Sequence, residues 1–199
     1  MKKLLILALL LLTAVPTGSR AAEAAKAGAK TGTTKEGKPY FDATEKVTAQ
    51  ATVIAIDKAT RNVKMVGAHG DTMKVKAGPE VKNFAQIVVG DVVELTYTER
   101  LTITVEPKGT AEMTSESMEA SAKQGEKPAA SVTERTQYKA TITAIDKTAG
   151  TATLKGYEGD EFLVTPLHPE NLGKVSVGEM VVFTHTQAVA VSVKKVAKK

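Results

Sequence analysis

The amino-acid sequence predicts an all-β protein made of two tandem small barrels of five strands each, and three observations carry that prediction. The stretch "ATVIAIDKAT" at Ala51–Thr60 returns as "ATITAIDKTA" at Ala140–Ala149, and the ungapped alignment of Ala51–Val75 with Ala140–Val164 holds 10 identities in 25 positions. Within each copy apolar and polar residues alternate with period two, the pattern of a strand that buries one face. Gly, Pro, Asp and Asn separate the alternating stretches, where hairpin turns need them.

The elements follow in order. In the first strand Val47, Ala49, Ala51 and Val53 alternate with Thr48, Gln50 and Thr52; in the second copy Tyr138, Ala140, Ile142 and Ala144 alternate with Lys139, Thr141 and Thr143. Ile56 and Ile145 then fall three residues after Val53 and Ile142, so a bulge is expected between them if both face inward. A short second strand (Asn62 to Val66; Thr151 to Lys155), a glycine turn ("GAHGD"; "GYEGD") and a third strand (Thr72 to Lys76; Glu161 to Thr165) come next. Gly78-Pro79, Pro166 and Pro169 break the alternation, and "EVKNFAQI" and "ENLGKV" are read as a short helical turn. "VGD" and "VGE" lead into a fourth strand (Val92 to Thr98; Met180 to Thr186), followed by a fifth (Leu101 to Val105; Val189 to Val193). This order is that of an OB-like Greek-key barrel, with an SH3-like barrel as the alternative.

The remaining segments divide the chain. Lys2 and Lys3, the apolar run Leu4–Val15 and the small residues around Ala21 read as a signal peptide over residues 1–21, cleaved after Ala21, and imply a periplasmic or secreted protein. A spanning helix needs ~20 apolar residues, and Pro16, Gly18 and Arg20 stop this run short. Residues 22–45 are expected to be a flexible N-terminal segment, 46–106 the first barrel, 107–133 a linker rich in Gly, Pro, Ser and Glu, 134–195 the second barrel and 196–199 a basic tail. The chain has no Cys, which excludes disulfide staples, thiolate nucleophiles and Cys-based zinc sites. Its formal charge of +5 falls to +2 without residues 1–21, since loss of Lys2, Lys3 and Arg20 leaves 24 basic against 22 acidic residues. With four Phe, four Tyr and no Trp it lacks the stacking platforms and basic groove of a single-strand nucleic-acid binder. An outer-membrane barrel is excluded by short strands without aromatic girdles.

"ATVIAIDKATRNVKM", the glycine turn, "VKNFAQIVVGDVVELTY" and "TITV" resemble the small exported OB-like domains of bacterial envelope proteins, among them tandem domains of unknown function. They are more distantly similar to CusF-type periplasmic copper chaperones. The resemblance implies a small exported barrel, and the copper chaperones carry His, Met and Trp ligands on its strands. Here only Met65, His69 and Met73, in "MVGAHGDTM", could stand in, and the Trp has no counterpart. Their chemistry suits a soft ion such as Cu(I) or Ag(I). Leu154, Glu158 and Phe162 occupy the equivalent places in the second copy, which is the behaviour of core filler and a surface turn.

No catalytic constellation is expected. Asp57/Asp146, Asp71/Asp160 and Asp91/Glu179 sit in turns, where short acidic side chains bond local backbone, and His168 and His185 have no neighbouring nucleophile motif. An enzyme would need a cleft with paired ionisable groups, such as Tyr97 near Glu99 and Arg100. The sequence therefore predicts a monomeric, non-enzymatic binding or scaffolding protein of the periplasm without cofactor, whose partner is an envelope protein or polysaccharide. Soft-metal binding by the first barrel is the alternative.

Overall fold

Ten strands form one antiparallel sheet in the computed structural model, which describes residues 22–79 and 81–195; the expected signal peptide and basic tail lie outside these. The strands are β1 (Ala22–Thr33), β2 (Pro39–Asp57), β3 (Asn62–Gly67), β4 (Thr72–Lys76), β5 (Val92–Glu106), β6 (Glu112–Ser121), β7 (Ala129–Asp146), β8 (Thr151–Lys155), β9 (Glu161–Val164) and β10 (Met180–Lys194). Short 3-10 turns at Phe84–Gln86 and Pro169–Lys174 occupy the places expected for helical turns. β1 pairs with the first part of β2 and β3 with the second, and β6 and β8 divide β7 in the same way. The centre is therefore six strands wide, in the order β1-β2-β5-β10-β7-β6, and a three-stranded corner extends from each end of it.

The all-β class is as predicted, but the sheet is open. The expected fourth and fifth strands of each copy are one continuous strand, β5 or β10. The reason is local: only Glu99-Arg100 and Gln187-Ala188 separate the two halves, and a two-residue hairpin turn needs left-handed backbone that Gly or Asn accepts and these residues do not. The inward-facing alternation instead runs unbroken through Leu95, Tyr97, Glu99, Leu101 and Ile103. Each long strand overshoots its own lobe and pairs with the other over 15 residue pairs, from Val92–Lys194 to Glu106–Met180. The contact that would close a five-stranded barrel is replaced by a contact with the other repeat.

Residues 22–45 and 107–133, expected to be mobile segment and linker, contain β1, β6 and the starts of β2 and β7. β6 is exposed along its whole length, so it carries no apolar period from which a strand could be read. Thr31 faces Phe41 in the first hairpin and Ser121 faces Ala130 in the second, so the structural repeat begins well before the similar sequence does.

The two halves obey a pseudo-two-fold relation. Glu99 lies opposite Gln187, and these are equivalent positions of the repeat, so the β5–β10 ladder is symmetric about that pair. The expected bulges are present as register shifts between Val53 and Ala55 and between Ile142 and Ala144. They bend β2 and β7 so that each corner folds over one face of the sheet. One core gathers Val53, Val63, Met65, Phe84 and Ile87, with Val193 from the far end of β10. The other gathers Ala140, Ile142 and Leu154 against Tyr138, Phe162, Val181 and Phe183. Each fully buried aliphatic side chain contributes about 1.5–3 kcal/mol. Arg61, left-handed at φ 58, ends the first bulged hairpin and donates to the carbonyls of Ala77, Gly78 and Val81 while its guanidinium lies 4.5 Å over the Phe84 ring. Gly150 takes the equivalent left-handed position without that clamp.

Two lysines cross between the lobes. Lys38, at the tip of the β1–β2 hairpin, donates to the Lys174 carbonyl and pairs with Glu179 at 2.6 Å; Lys127, at the tip of the β6–β7 hairpin, donates to the Gln86 carbonyl and pairs with Asp91. The partners are again equivalent: each hairpin tip is locked into the other repeat's turn. Asp91 and Glu179 also accept the backbone N–H of Val88 and Ser176, as acidic turn residues do.

These clasps differ in burial, since the Asp91 side chain is 3% exposed and Glu179 15%. Lys127→Ala strands a buried carboxylate and is expected to cost about 3 kcal/mol, against about 1 kcal/mol for the more accessible Lys38→Ala; urea unfolding measures both, and equal losses would refute the ranking. The bond from Lys38 holds the Glu179 carboxyl below its ordinary 4.5. A depressed carboxyl contributes stability above its unfolded value that is lost as pH falls through the folded one. Stability therefore declines on acidification from about pH 5 towards 3, and Lys38→Ala should flatten that slope when unfolding is followed across the interval.

Candidate functional site

The register sorts every side chain of the central strands onto one of two faces, because opposite residues point the same way and successive ones alternate. One face carries threonine together with Lys46, Arg100, Arg135, Lys139 and Lys194. The other is apolar and bears no Lys or Arg from β2, β5, β10 or β7. Both cores sit on this second face, since Ala51, Val93 and Val193 serve one and Tyr138, Ala140 and Phe183 the other. They cover its two ends and leave the floor between them open.

That floor is the candidate site. Leu95 is opposite Val191, and Val189 lies between Tyr97 and Val132, so the four aliphatic residues are contiguous across β5, β10 and β7. They are 38–44% exposed, values ordinary for one surface residue but not for neighbouring members of an inward-type alternation. A polar band crosses the floor at the pseudo-two-fold. Glu99 accepts from the Tyr97 hydroxyl at 3.0 Å and bonds His185 Nε2 at 2.7 Å, and Gln187 donates to the Tyr97 oxygen at 3.4 Å. Glu45 stands opposite Glu99, and Glu134 opposite Gln187. Burial, and then the bond to Glu99, raise the Tyr97 phenol above its ordinary value, so it remains a neutral donor across the physiological range. The arrangement presents aliphatic surface cut by a fixed, acidic hydrogen-bonded band. It supplies shape and charge for recognition.

Sequence reasoning named Tyr97, Glu99 and Arg100 together. The first two are bonded, but Arg100 points to the threonine face, where it forks onto Asp42 at 2.6 and 3.0 Å. Glu99 and Arg100 are adjacent in one strand and must face opposite ways, a consequence of the missing turn. His185, which the sequence shows without a neighbouring nucleophile motif and which is the repeat equivalent of Tyr97, is the third member of the cluster; the symmetric pairing that brings it there could not be read without the continuous strands.

The metal candidates separate by environment. Met65 is buried among Val53, Val63, Phe84 and Ile87, Met73 is its direct cross-strand neighbour on β4 at 39% exposure, and His69 is exposed in the turn between them. Burial of Met65 is what an apolar packing residue shows. Among the described residues no three His, Asp or Glu side chains are grouped as metal ligands. Asp57 and Asp146 cap their turns by accepting the N–H groups of Ala59 and Thr60, and of Thr148 and Ala149. His168 lies exposed, bonded to Glu170. Among the described residues no helix is long and apolar enough to cross a membrane.

Comparison of the chain with protein-family models, with curated proteins and with solved structures finds no match.

The polar band makes a testable coupling. Glu99→Gln removes a charged acceptor beside Tyr97 while leaving its burial, so the tyrosine should ionise at lower pH than in the parent yet still above the ordinary phenol value. Tyrosine ring carbon shifts followed by NMR across the alkaline range measure this, and an unchanged Tyr97 titration would show that the bond is absent in solution.

Proposed function

We propose that the chain is an exported, non-enzymatic binding or scaffolding protein of the bacterial periplasm, and that the open apolar floor between its two cores is the surface that engages its partner. The observation that carries this reading is the contiguous exposure of Leu95, Val132, Val189 and Val191 on a face whose ends are both covered. Soluble proteins keep such patches small unless something docks on them. Of the two partner classes expected from sequence, a protein fits better than a polysaccharide: the exposed floor is aliphatic, with Tyr97 the aromatic ring beside it. The floor carries Glu45, Glu99 and Glu134 with no Lys or Arg on this face of β2, β5, β10 or β7, so the complementary surface is apolar with a basic rim. Each lobe is read as an OB-like barrel left open, whose missing wall is the other repeat. The N-terminal leader of the sequence supports export.

The reading is tested in cells with a photo-cross-linker placed at Val189, on the floor, or at Ala190, on the opposite face of the same strand. Adducts are expected from position 189 in the periplasmic fraction and not from 190. Val191→Glu should abolish them, and raised salt should weaken them, without lowering the melting temperature by more than a few degrees. Equal adducts at both positions, or retention of the protein in the cytoplasm, would overturn it.

A further inference from the structure

The outermost strands of the six-stranded centre are β1 and β6, and among the described residues nothing pairs with the outer edge of either. Such edges are templates for another strand unless blocked. The two are equivalent in the repeat but have diverged in charge. Over Ala27–Thr33 β1 carries Lys30 and no acidic residue, a net +1, whereas β6 contains Glu112, Glu116 and Glu119 and no cation, a net −3.

Geometry matches the charges. Every neighbouring pair in the order β1-β2-β5-β10-β7-β6 is antiparallel, so β1 and β6 run in opposite directions. A second copy displaced sideways therefore offers its β1 antiparallel to β6 of the first, with the same face uppermost. Lys30 lies opposite Asp42, and Glu116 opposite Arg135, which places both on the threonine face. Lys30 of one copy can thus stand directly across from Glu116 of the next, a favourable cross-strand pair. Gly28 then falls opposite Met118 and Thr31 opposite Ser115, without a steric or charge conflict. Pairing β6 with β6 sets glutamates against glutamates and is disfavoured.

We propose that copies of this chain add edge to edge, β1 of one onto β6 of the next, into an open-ended continuous sheet. The join is heterologous, so it does not close on itself as a two-fold dimer does. This replaces the monomer expected from the sequence, and it involves neither Leu95 nor Val191.

Sedimentation velocity on the chain from Ala22 to Lys199 tests it. The weight-average mass is expected to grow with concentration without stopping at a dimer, and the association to weaken about tenfold as salt is raised to about 0.5 M. Lys30→Glu and Glu116→Lys should each sediment as folded monomers, the first with two acidic edges and the second with one edge reversed. An equimolar mixture of the two variants should regain assembly. At one join the substituted β1 of the first variant meets the substituted β6 of the second, and at the next the unchanged Lys30 of the second meets the unchanged Glu116 of the first. Leu95→Ser should assemble like the parent, which separates this interface from the floor. A parent that stays monomeric at all concentrations, a limiting dimer, assembly unaffected by either charge reversal, or failure of the mixture to recover would overturn the proposal.

Discussion

The pairing of β5 with β10 is the constraint on which the rest of the molecule depends. The smaller a lobe, the smaller the fraction of its surface it can bury alone, and neither lobe here closes a barrel of its own. Here the first lobe borrows from the second: the end of β10 delivers Val193 into the first core, beside Val93 of β5. The ladder is symmetric about Glu99 and Gln187, so at its other end Val181 and Phe183 of the second core lie opposite Val105 and Ile103 of β5. Breaking the ladder would take Val193 from the first core and pull apart both lysine clasps, so the two repeats are expected to fold as one cooperative unit and not as beads on a string.

The lysine clasps follow from the same symmetry. Once β5 and β10 are antiparallel and in register, the tip of each long hairpin lies beside the other repeat's turn, and a cation there meets a carboxylate that is already accepting a turn N–H. The turn supplies one hydrogen bond and the lysine the opposing charge, which is what makes burial of Asp91 tolerable. The clasp is thus a product of long-range topology acting on a short-range motif.

This explains what was legible in the sequence. The bulge after Val53 and Ile142, the capping roles of Asp57 and Asp146 and the turns between short strands are local, and local chemistry announces them. The long strands were missed because five strands of about five residues fit the expected barrel better than one of 15, although no residue between Thr98 and Leu101 favours a turn. β1 and β6 were missed because an edge strand exposed on both faces has no apolar period. Lys38-Pro39 and Lys127-Pro128 repeat within segments that composition alone assigns to mobile chain, and that recurrence was the available signal for the hairpin tips. The His185–Glu99–Tyr97 cluster joins residues 86 and 88 positions apart, through a ladder whose existence had first to be known.

Divergence between the copies gains a physical meaning from the axis. A residue on a two-fold faces its own equivalent, so an exact duplicate would set Glu99 against a second glutamate in the centre of an apolar floor. Like charges directly opposed across a ladder are destabilising. Gln187 removes that conflict across β5–β10, where Glu99 already faces Glu45 on its other side, while still donating to Tyr97, and His185 in place of a second tyrosine supplies a partner for the Glu99 carboxylate. Away from the axis the copies could remain alike, as "AIDK" does at both bends. The same reasoning applies to the outer edges: identical edges would repel or attract each other indifferently, and opposite charges on β1 and β6 give the pairing of edges a direction. Some of the positions at which the two halves differ thus lie where one half, or one molecule, must recognise the other.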